Sequence, residues 1–494
     1  MTQLQTPIEL DAGTPEIDLQ QVKTRSISGV LALTSRTLVI QVISFAATFA
    51  LTVFLSPEVY GTFFLVSAVV NFMTYFSDIG LAAALIQKKE KVTADDLATT
   101  FTIQQGLVLL LLLVLFVLSP YFKSQYHLSS AAIYLMWSLG FSFFLSSLKT
   151  IPTILLEREL KFNKLIIPQI LENLVFNLSA VYFAWQGWGL NTFTFAVLLR
   201  GLVGLAAIYI ISPWSPRFAF SKTSLHKLLR FGLPYQLNAF LAVVKDDGMT
   251  VFLGRIIGQT GLGYIGWASR WANQPLRFFM DNLTKVAFPA YSRVQHDKEL
   301  LKKGIHKALF YLSLVCFPIF VGMGVLASPL VSLIPRYQKW QPALLPLYLY
   351  LVNAALALIS TPLTNALNAI GKIKTTFKLM IMWTVLTWSL MPLLAIRYGY
   401  LGVAYAAAGI ALSSVVVFIV VRRLLQIDFL TTLFAPTLSS LILGVGLFLT
   451  RPYLTSLIYF PFVIAASALF YFLMIYLLLG QKFITDIRSL LAHR

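Results

Sequence analysis

Long apolar segments follow one another along almost the whole chain, each bounded by charged residues, proline or glycine. An α-helix needs roughly 20 mostly apolar residues to cross a bilayer, and its backbone hydrogen bonds are then satisfied within the helix. The pattern predicts fourteen membrane spans, numbered here in chain order. They cover residues 34–55, 59–86, 96–119, 129–150, 166–186, 189–211, 231–254, 262–287, 306–330, 341–366, 375–396, 400–421, 430–450 and 457–480.

Composition points to the same class of protein. Of the 494 residues, 58% are hydrophobic and 12% are charged, whereas soluble domains carry roughly 25% charged residues. A chain so poor in charge cannot cover a surface that faces water, so the predicted fold class is all-α integral membrane. No connection between spans is long enough for a soluble domain, and the single cysteine, Cys316, is expected to be a buried thiol.

The distribution of lysine and arginine tests this topology. With the N-terminus in the cytoplasm, 28 of the 38 basic residues fall on the cytoplasmic side and six outside. The remaining four lie within spans: Arg200, Lys245, Arg270 and Arg277. Such asymmetry follows the positive-inside rule and places both termini in the cytoplasm. It also accounts for the net charge of +19, so no nucleic-acid partner is expected.

A weak internal repeat relates the two halves of the chain. The segment FLSPEVYGTF from Phe54 aligns with IIGQTGLGYI from Ile256, which sets Gly61 against Gly263. Parallel repeats place a transporter's substrate site between the halves, near the midplane. We predict two pseudo-symmetric six-helix lobes and two further helices. The divisions are a cytoplasmic tail at 1–33 without a signal-peptide pattern, an N-lobe at 34–212, a cytoplasmic linker at 213–230, a C-lobe at 231–424, and helices 13 and 14 with a cytoplasmic C-terminus at 425–494.

Span 8 carries the richest set of polar residues. Charge inside lipid is costly, so it faces a water-filled cavity or a partner. Residues at helical spacing here form one polar face. They are Arg270, Asn273, Gln274, Arg277, Asp281, Thr284 and Lys285. This face is either a cationic wall that binds an anionic substrate, or a set of structural ion pairs between helices.

Span 7 holds Lys245, Asp246 and Asp247 near its middle. Neighbouring helical residues point about 100° apart, so one of the acids is expected to pair with Arg270 or Arg277. A carboxylate at this depth is also a candidate proton or sodium site. The ion-coupling candidates are Asp246, Asp247, Asp281 and Glu172.

Three further features complete the sequence picture. Glu172 and Arg200 lie inside spans 5 and 6 and are expected to pair. Spans 1 and 2 show hydroxyl-rich faces, which line a cavity or serve helix packing. No metal-ligand spacing occurs among the histidines, and no phosphate-binding loop is present. Neither an enzyme nor a bound metal or cofactor is therefore expected, and the driving force would come from an ion gradient, the membrane potential or the substrate.

The chain resembles the polysaccharide transporter (Wzx-type oligosaccharide flippase) family of the multidrug/oligosaccharidyl-lipid/polysaccharide exporter superfamily. The likeness covers residues 30–480 and is carried by three motifs in order: SDIGLAAALIQ at 77–87, LLERELKFNKL at 155–165 and LRFGLP at 229–234. The resemblance implies a flippase in the bacterial inner membrane. Its substrate would be an undecaprenyl-diphosphate-linked oligosaccharide, moved by alternating access through a cationic central cavity to supply exopolysaccharide or O-antigen synthesis.

The resemblance also implies roles for residues. Arg270, Arg277 and Lys245 would contact the diphosphate headgroup, with Asn273 and Gln274 beside them. Arg36 and Asp78 would lie at the cytoplasmic mouth, so both are substrate-binding candidates. The implied partners are the lipid-linked oligosaccharide, membrane lipid and other polysaccharide assembly proteins, including a polymerase.

Three other functions are possible for a chain of this class. Membrane polymerases and ligases carry a long external loop with catalytic residues, which this sequence lacks. A multidrug exporter of the same superfamily would bind cationic drugs, which an arginine-lined cavity repels. A lipid II flippase is a closer rival, because it also binds a diphosphate.

Overall fold

The computed structural model describes residues 40–77, 79–88, 90 and 92–480, and these are predominantly helical, without a β-strand. The α-helices are α1 (Ile40–Phe54), α2 (Pro57–Thr74), α3 (Leu81–Gln87), α4 (Ala94–Gln125), α5 (Ser130–Leu148), α6 (Thr150–Arg158), α7 (Phe162–Trp185), α8 (Asn191–Ile211), α9 (Lys222–Val243), α10 (Met249–Arg293), α11 (Lys298–Leu333), α12 (Leu344–Ala369), α13 (Ile373–Leu412), α14 (Val415–Leu425), α15 (Phe429–Thr450) and α16 (Tyr459–Leu479). A π-helix (Val244–Gly248) joins α9 to α10, and 3₁₀ helices occupy Tyr75–Ser77, Pro335–Ala343 and Arg451–Tyr453.

Ten helical stretches of the described residues are long and apolar enough to cross a membrane. This agrees with the all-α membrane class, whereas the count of fourteen stays a prediction. The stretch Ile373–Leu425 counts once, although Gly399 breaks it with a φ of 61°. The described part of α1 is short, and no described stretch of α9 or α10 is both long enough and apolar enough to count as a span.

Single residues determine where α9 begins and where α10 changes direction. Ser221 caps α9 by accepting a hydrogen bond from the backbone of Ser224, as serine commonly does at an N-cap. The helix therefore begins inside the predicted linker, at Lys222 rather than 231. Further on, Gly258 has a φ of 68°, a conformation that glycine adopts without strain, and this residue separates spans 7 and 8 within α10.

The two halves of the chain meet where α2 crosses the start of the span-8 part of α10. A Cβ on Gly61 would overlap the carbonyl oxygen of Gln259, and one on Gly263 would overlap the carbonyl oxygen of Pro57. The contact is reciprocal, since Pro57 and Gln259 are as far apart in sequence as Gly61 and Gly263. Small residues let helix backbones approach this closely, and the two glycines are those that the repeat aligns.

The 3₁₀ helix Pro335–Ala343, which we call the outer clamp, lies against the end of α1. The ammonium of Lys339 donates to the carbonyl oxygen of Val53 at 2.7 Å, and the indole of Trp340 donates to that of Thr52 at 2.7 Å. The last carbonyls of a helix have no partner within it. The clamp therefore completes the end of α1 and links the two halves of the chain at the predicted outer end.

Replacing Gly61 with alanine should destabilise the protein, because the added Cβ has no space at the crossing. Forcing atoms into a packed site costs about 1–3 kcal/mol. Thermal unfolding of the purified protein in detergent measures the loss. Gly106→Ala is the matched control, because nothing lies within 4 Å of its added Cβ. Equal unfolding temperatures for both variants would contradict the crossing.

Candidate functional site

The polar face of span 8 lies on a long helix that packs against several others. The helix that carries it, α10, packs against α2, α11, α12 and α13, and it contacts α1 through Trp271 and Phe45. Arg270, Arg277 and Asp281 are nevertheless exposed. Charged residues within membrane helices face the bundle interior or a water-filled cavity, so we expect an internal space beside this face.

The two arginines of this face are free to bind an anion. Arg270 donates to the hydroxyl of Thr48 on α1 at 2.9 Å. In the part of the chain that the structure describes, no carboxylate lies within 4.0 Å of Arg270 or Arg277. The alternative of structural ion pairs therefore gains no support there. A guanidinium donates several hydrogen bonds in a fixed fork, which matches the oxygens of a phosphate.

Two other polar residues of this face already make hydrogen bonds within the protein. Asn273 donates to the backbone oxygen of Ser269 at 2.9 Å, and Thr284 accepts from Asn365 of α12 at 3.3 Å. Gln274 is half-buried. The side chain of Lys285 lies outside the described set, as do Arg36 and Asp78, the two residues expected at the cytoplasmic mouth.

The second predicted cluster lies in the π-helix Val244–Gly248, a wider turn that is frequent at functional sites. Lys245 forms an ion pair with Asp246, and the carboxylate of Asp247 lies near Asn71 of α2. The expected pairing with Arg270 or Arg277 is wrong, because among the described residues neither acid lies within 4.0 Å of these arginines and Asp246 pairs with Lys245 instead. The π-helix that carries Asp247 nevertheless packs against α2 of the first half of the chain.

Glu172 lies between two cations in the first half of the chain. Its carboxylate is 2.6 Å from the ammonium of Lys149 and 3.7 Å from the guanidinium of Arg200. The structure thus has the expected pair with Arg200, and it adds Lys149, which the sequence did not single out because it lies at the end of span 4. Glu172 thus ties three helical segments together through two ion pairs, which favours a structural role for it.

Several hydroxyls of span 1 also have partners. Ser44 accepts from Asn173 at 3.2 Å, and Thr52 shares a hydrogen bond with Tyr337 of the outer clamp at 3.0 Å. The polar face of α1 therefore serves contacts between elements as well as the internal space. Within the described residues, no group of three His, Cys, Asp or Glu side chains could hold a metal ion.

Solved structures with this fold are helical membrane transporters. The lipid II flippase MurJ, in an inward closed conformation, aligns with a TM-score of 0.73 at 17% identity, over 91% of this chain and 99% of that one. A multidrug resistance MATE family transporter of the MOP superfamily, in an inward-facing conformation, aligns with a TM-score of 0.58 at 16% identity, over 80% of this chain and 98% of that one. At these identities the likeness defines the fold alone, which is that of an all-helical membrane transporter.

The sequence identifies the family. Residues 50–345 match the family described as polysaccharide biosynthesis protein, and the chain belongs to it. The succinoglycan biosynthesis transport protein ExoT of Rhizobium meliloti (strain 1021) is 25% identical over 276 residues, 56% of this chain and 55% of that protein. The lipopolysaccharide biosynthesis protein WzxC of Escherichia coli (strain K12) is 26% identical over 319 residues, 63% of each chain. The matched segment thus spans less than two thirds of these two relatives.

Replacing Glu172 with glutamine should destabilise the protein strongly, because it leaves Lys149 without its anion. The Lys149 and Glu172 side chains are only 13% and 14% exposed, and removing one partner of a buried pair costs about 3 kcal/mol or more. Glu159→Gln is the control, since its ion pair with Lys161 is half-exposed and such pairs contribute about 1 kcal/mol or less. Chemical unfolding in detergent compares the two. Similar losses would argue against a structural ion pair at Glu172.

Proposed function

We propose that the protein is a flippase for undecaprenyl-diphosphate-linked oligosaccharides. It would take the lipid-linked repeat unit at the cytoplasmic leaflet of the bacterial inner membrane and release it at the outer leaflet, for exopolysaccharide or O-antigen synthesis. Both termini would lie in the cytoplasm, and a polymerase would act on the product. Membership of the polysaccharide biosynthesis protein family and the transporter fold support this proposal.

The observation that carries the proposal is the pair of unneutralised arginines on α10. Arg270 and Arg277 lie two helical turns apart on one face, and both are exposed. Their donors suit the diphosphate, which every such substrate carries whatever its glycan. Lys245 adds a further ammonium in the π-helix, although Asp246 offsets part of its charge.

The other transport functions fit less well. A site for cationic drugs would need an excess of carboxylates, whereas on the exposed part of this face Arg270 and Arg277 outnumber the one carboxylate, Asp281. Lipid II carries the same diphosphate as the proposed substrate, and the likeness to MurJ concerns the fold alone. Names of the curated relatives refer to succinoglycan and lipopolysaccharide biosynthesis, which favours an oligosaccharide repeat unit.

Asp247 is the carboxylate best placed to couple transport to a proton or sodium gradient. Asp246 is exposed and paired with Lys245, whereas Asp247 is half-buried, lies near the neutral side chain of Asn71 and has no cation within 4.0 Å among the described residues. Binding a proton or sodium ion at Asp247 would change the contact between α2 and the π-helix. This contact joins the two halves that alternating access moves apart.

Arg277→Gln should lower translocation of the lipid-linked oligosaccharide about tenfold or more, because a lost charge-assisted hydrogen bond costs about 1.5–3 kcal/mol. Proteoliposomes loaded with labelled substrate measure the rate at which it reaches the opposite leaflet. Arg293→Gln is the control, since it removes an exposed arginine from the end of the same helix. Unchanged rates for Arg277→Gln and Arg270→Gln would contradict the proposed site.

Asp247→Asn should abolish any acceleration of translocation by an imposed proton or sodium gradient, because asparagine has no charge to gain or lose. The same proteoliposomes are assayed with each gradient in turn. Asp246→Asn, the control, should keep the response of the wild type. Coupling at Asp247 is excluded if the Asn variant responds to the gradient as the wild type does.

A further inference from the structure

A cleft of about 610 Å³ lies at the predicted outer end, away from the arginines of α10. Three segments form it: the turn that begins α2, the part of α10 that follows Gly258, and the outer clamp. The lining residues are Ser56, Pro57, Glu58, Thr260, Tyr264, Gln338, Lys339, Gln341 and Pro342. The cleft is an open groove of mixed polar and apolar character, and its volume falls within the range of ligand sites in proteins, roughly 300–1,000 Å³.

The position of the cleft relates it to the transport pathway. One wall carries Glu58 from the first half of the chain, and the facing wall carries Thr260, which corresponds to Glu58 in the internal repeat. Both residues are close in sequence to the Gly61–Gly263 crossing. A passage that opens between the two lobes would therefore emerge at this cleft.

The chemistry of the lining favours a sugar over an anion or a lipid. The cleft offers one carboxylate, one ammonium, two amides, hydroxyls and the ring of Tyr264, and the single cation, Lys339, already donates to the carbonyl oxygen of Val53. Glu58 and Gln341 are exposed, and their side chains make no hydrogen bond to other described residues. Such groups suit the donors and acceptors of sugar hydroxyls, and an aromatic ring can pack against the face of a sugar.

We propose that this cleft is a carbohydrate-binding site that holds the oligosaccharide part of the cargo at the outer face. The inference rests on the proposed flippase function and adds a second site, which recognises the glycan rather than the diphosphate. Gln259 connects the walls, since it accepts from Thr62 at 3.1 Å and donates to the backbone oxygen of Tyr126 at 3.1 Å. The cleft is therefore complete only while the outer end is closed.

This geometry gives the site a direction in the transport cycle. A ligand that binds one conformation better than another shifts the population towards that conformation. A glycan held in the cleft would stabilise the state closed to the outside, and so would oppose re-entry of the product. The site would thus act after release, whereas the arginines of α10 act during loading.

The test is binding of a lipid-free glycan to the full chain in nanodiscs. The probe is the repeat-unit oligosaccharide that mild acid releases from the lipid-linked intermediates of the cells in which the protein is native. Calorimetric titration should detect binding to the wild type. Glu58→Gln and Gln341→Ala should each weaken it about tenfold, since each removes hydrogen-bonding capacity. Gln186→Ala, an exposed glutamine in the turn between α7 and α8, should bind like the wild type.

Absence of binding to the wild type would contradict the proposed glycan site. Equal binding by both cleft variants and the Gln186→Ala control would contradict it as well. The translocation assay separates this result from a failure of the proposed function. Normal translocation of the lipid-linked substrate without binding of the lipid-free glycan would contradict the glycan site but leave the flippase function standing. Binding that the cleft variants weaken, by a chain that moves no lipid-linked substrate, supports a glycan site and contradicts the flippase.

Discussion

The cost of an unpaired charge in an apolar environment is the constraint on which this structure depends. An arginine at the centre of a membrane helix costs about 2.5–3.5 kcal/mol even on insertion scales, and α10 carries two without a carboxylate partner in the described residues. Both arginines are exposed, and we expect the surrounding helices to meet this cost by leaving an internal space beside Arg270 and Arg277. The same space is what a flippase requires for a charged headgroup.

The glycine crossing explains how the bundle closes around that space. At Gly61 and Gly263 the backbones of α2 and α10 touch, and the outer clamp joins the end of α1 to the second half of the chain. Near its end, α2 contacts the π-helix, where Asn71 lies close to Asp247. The two halves thus meet tightly at the predicted outer end and are also linked by polar contacts elsewhere, between Tyr75 and Gln236 and between Arg270 and Thr48.

The sequence predicts much of this because the relevant signals are local. Hydropathy locates the helices, helical spacing puts the polar residues of α10 on one face, and repeated turns align Gly61 with Gly263. Contacts between distant residues leave no such signal. Thr52 and Tyr337, for example, are 285 residues apart. The π-helix at Lys245 also escaped prediction, because its hydrogen-bonding pattern has no distinctive sequence. The pairing expected between its acids and the α10 arginines therefore failed, since Asp246 pairs with the neighbouring Lys245 instead.

A cryo-electron microscopy map of the protein in nanodiscs with an undecaprenyl-diphosphate-linked oligosaccharide tests the central claim most directly. The account predicts density for the diphosphate within hydrogen-bonding distance of the Arg270 and Arg277 guanidinium groups, inside the bundle. Density for the diphosphate elsewhere, with both arginines facing empty solvent, would contradict it.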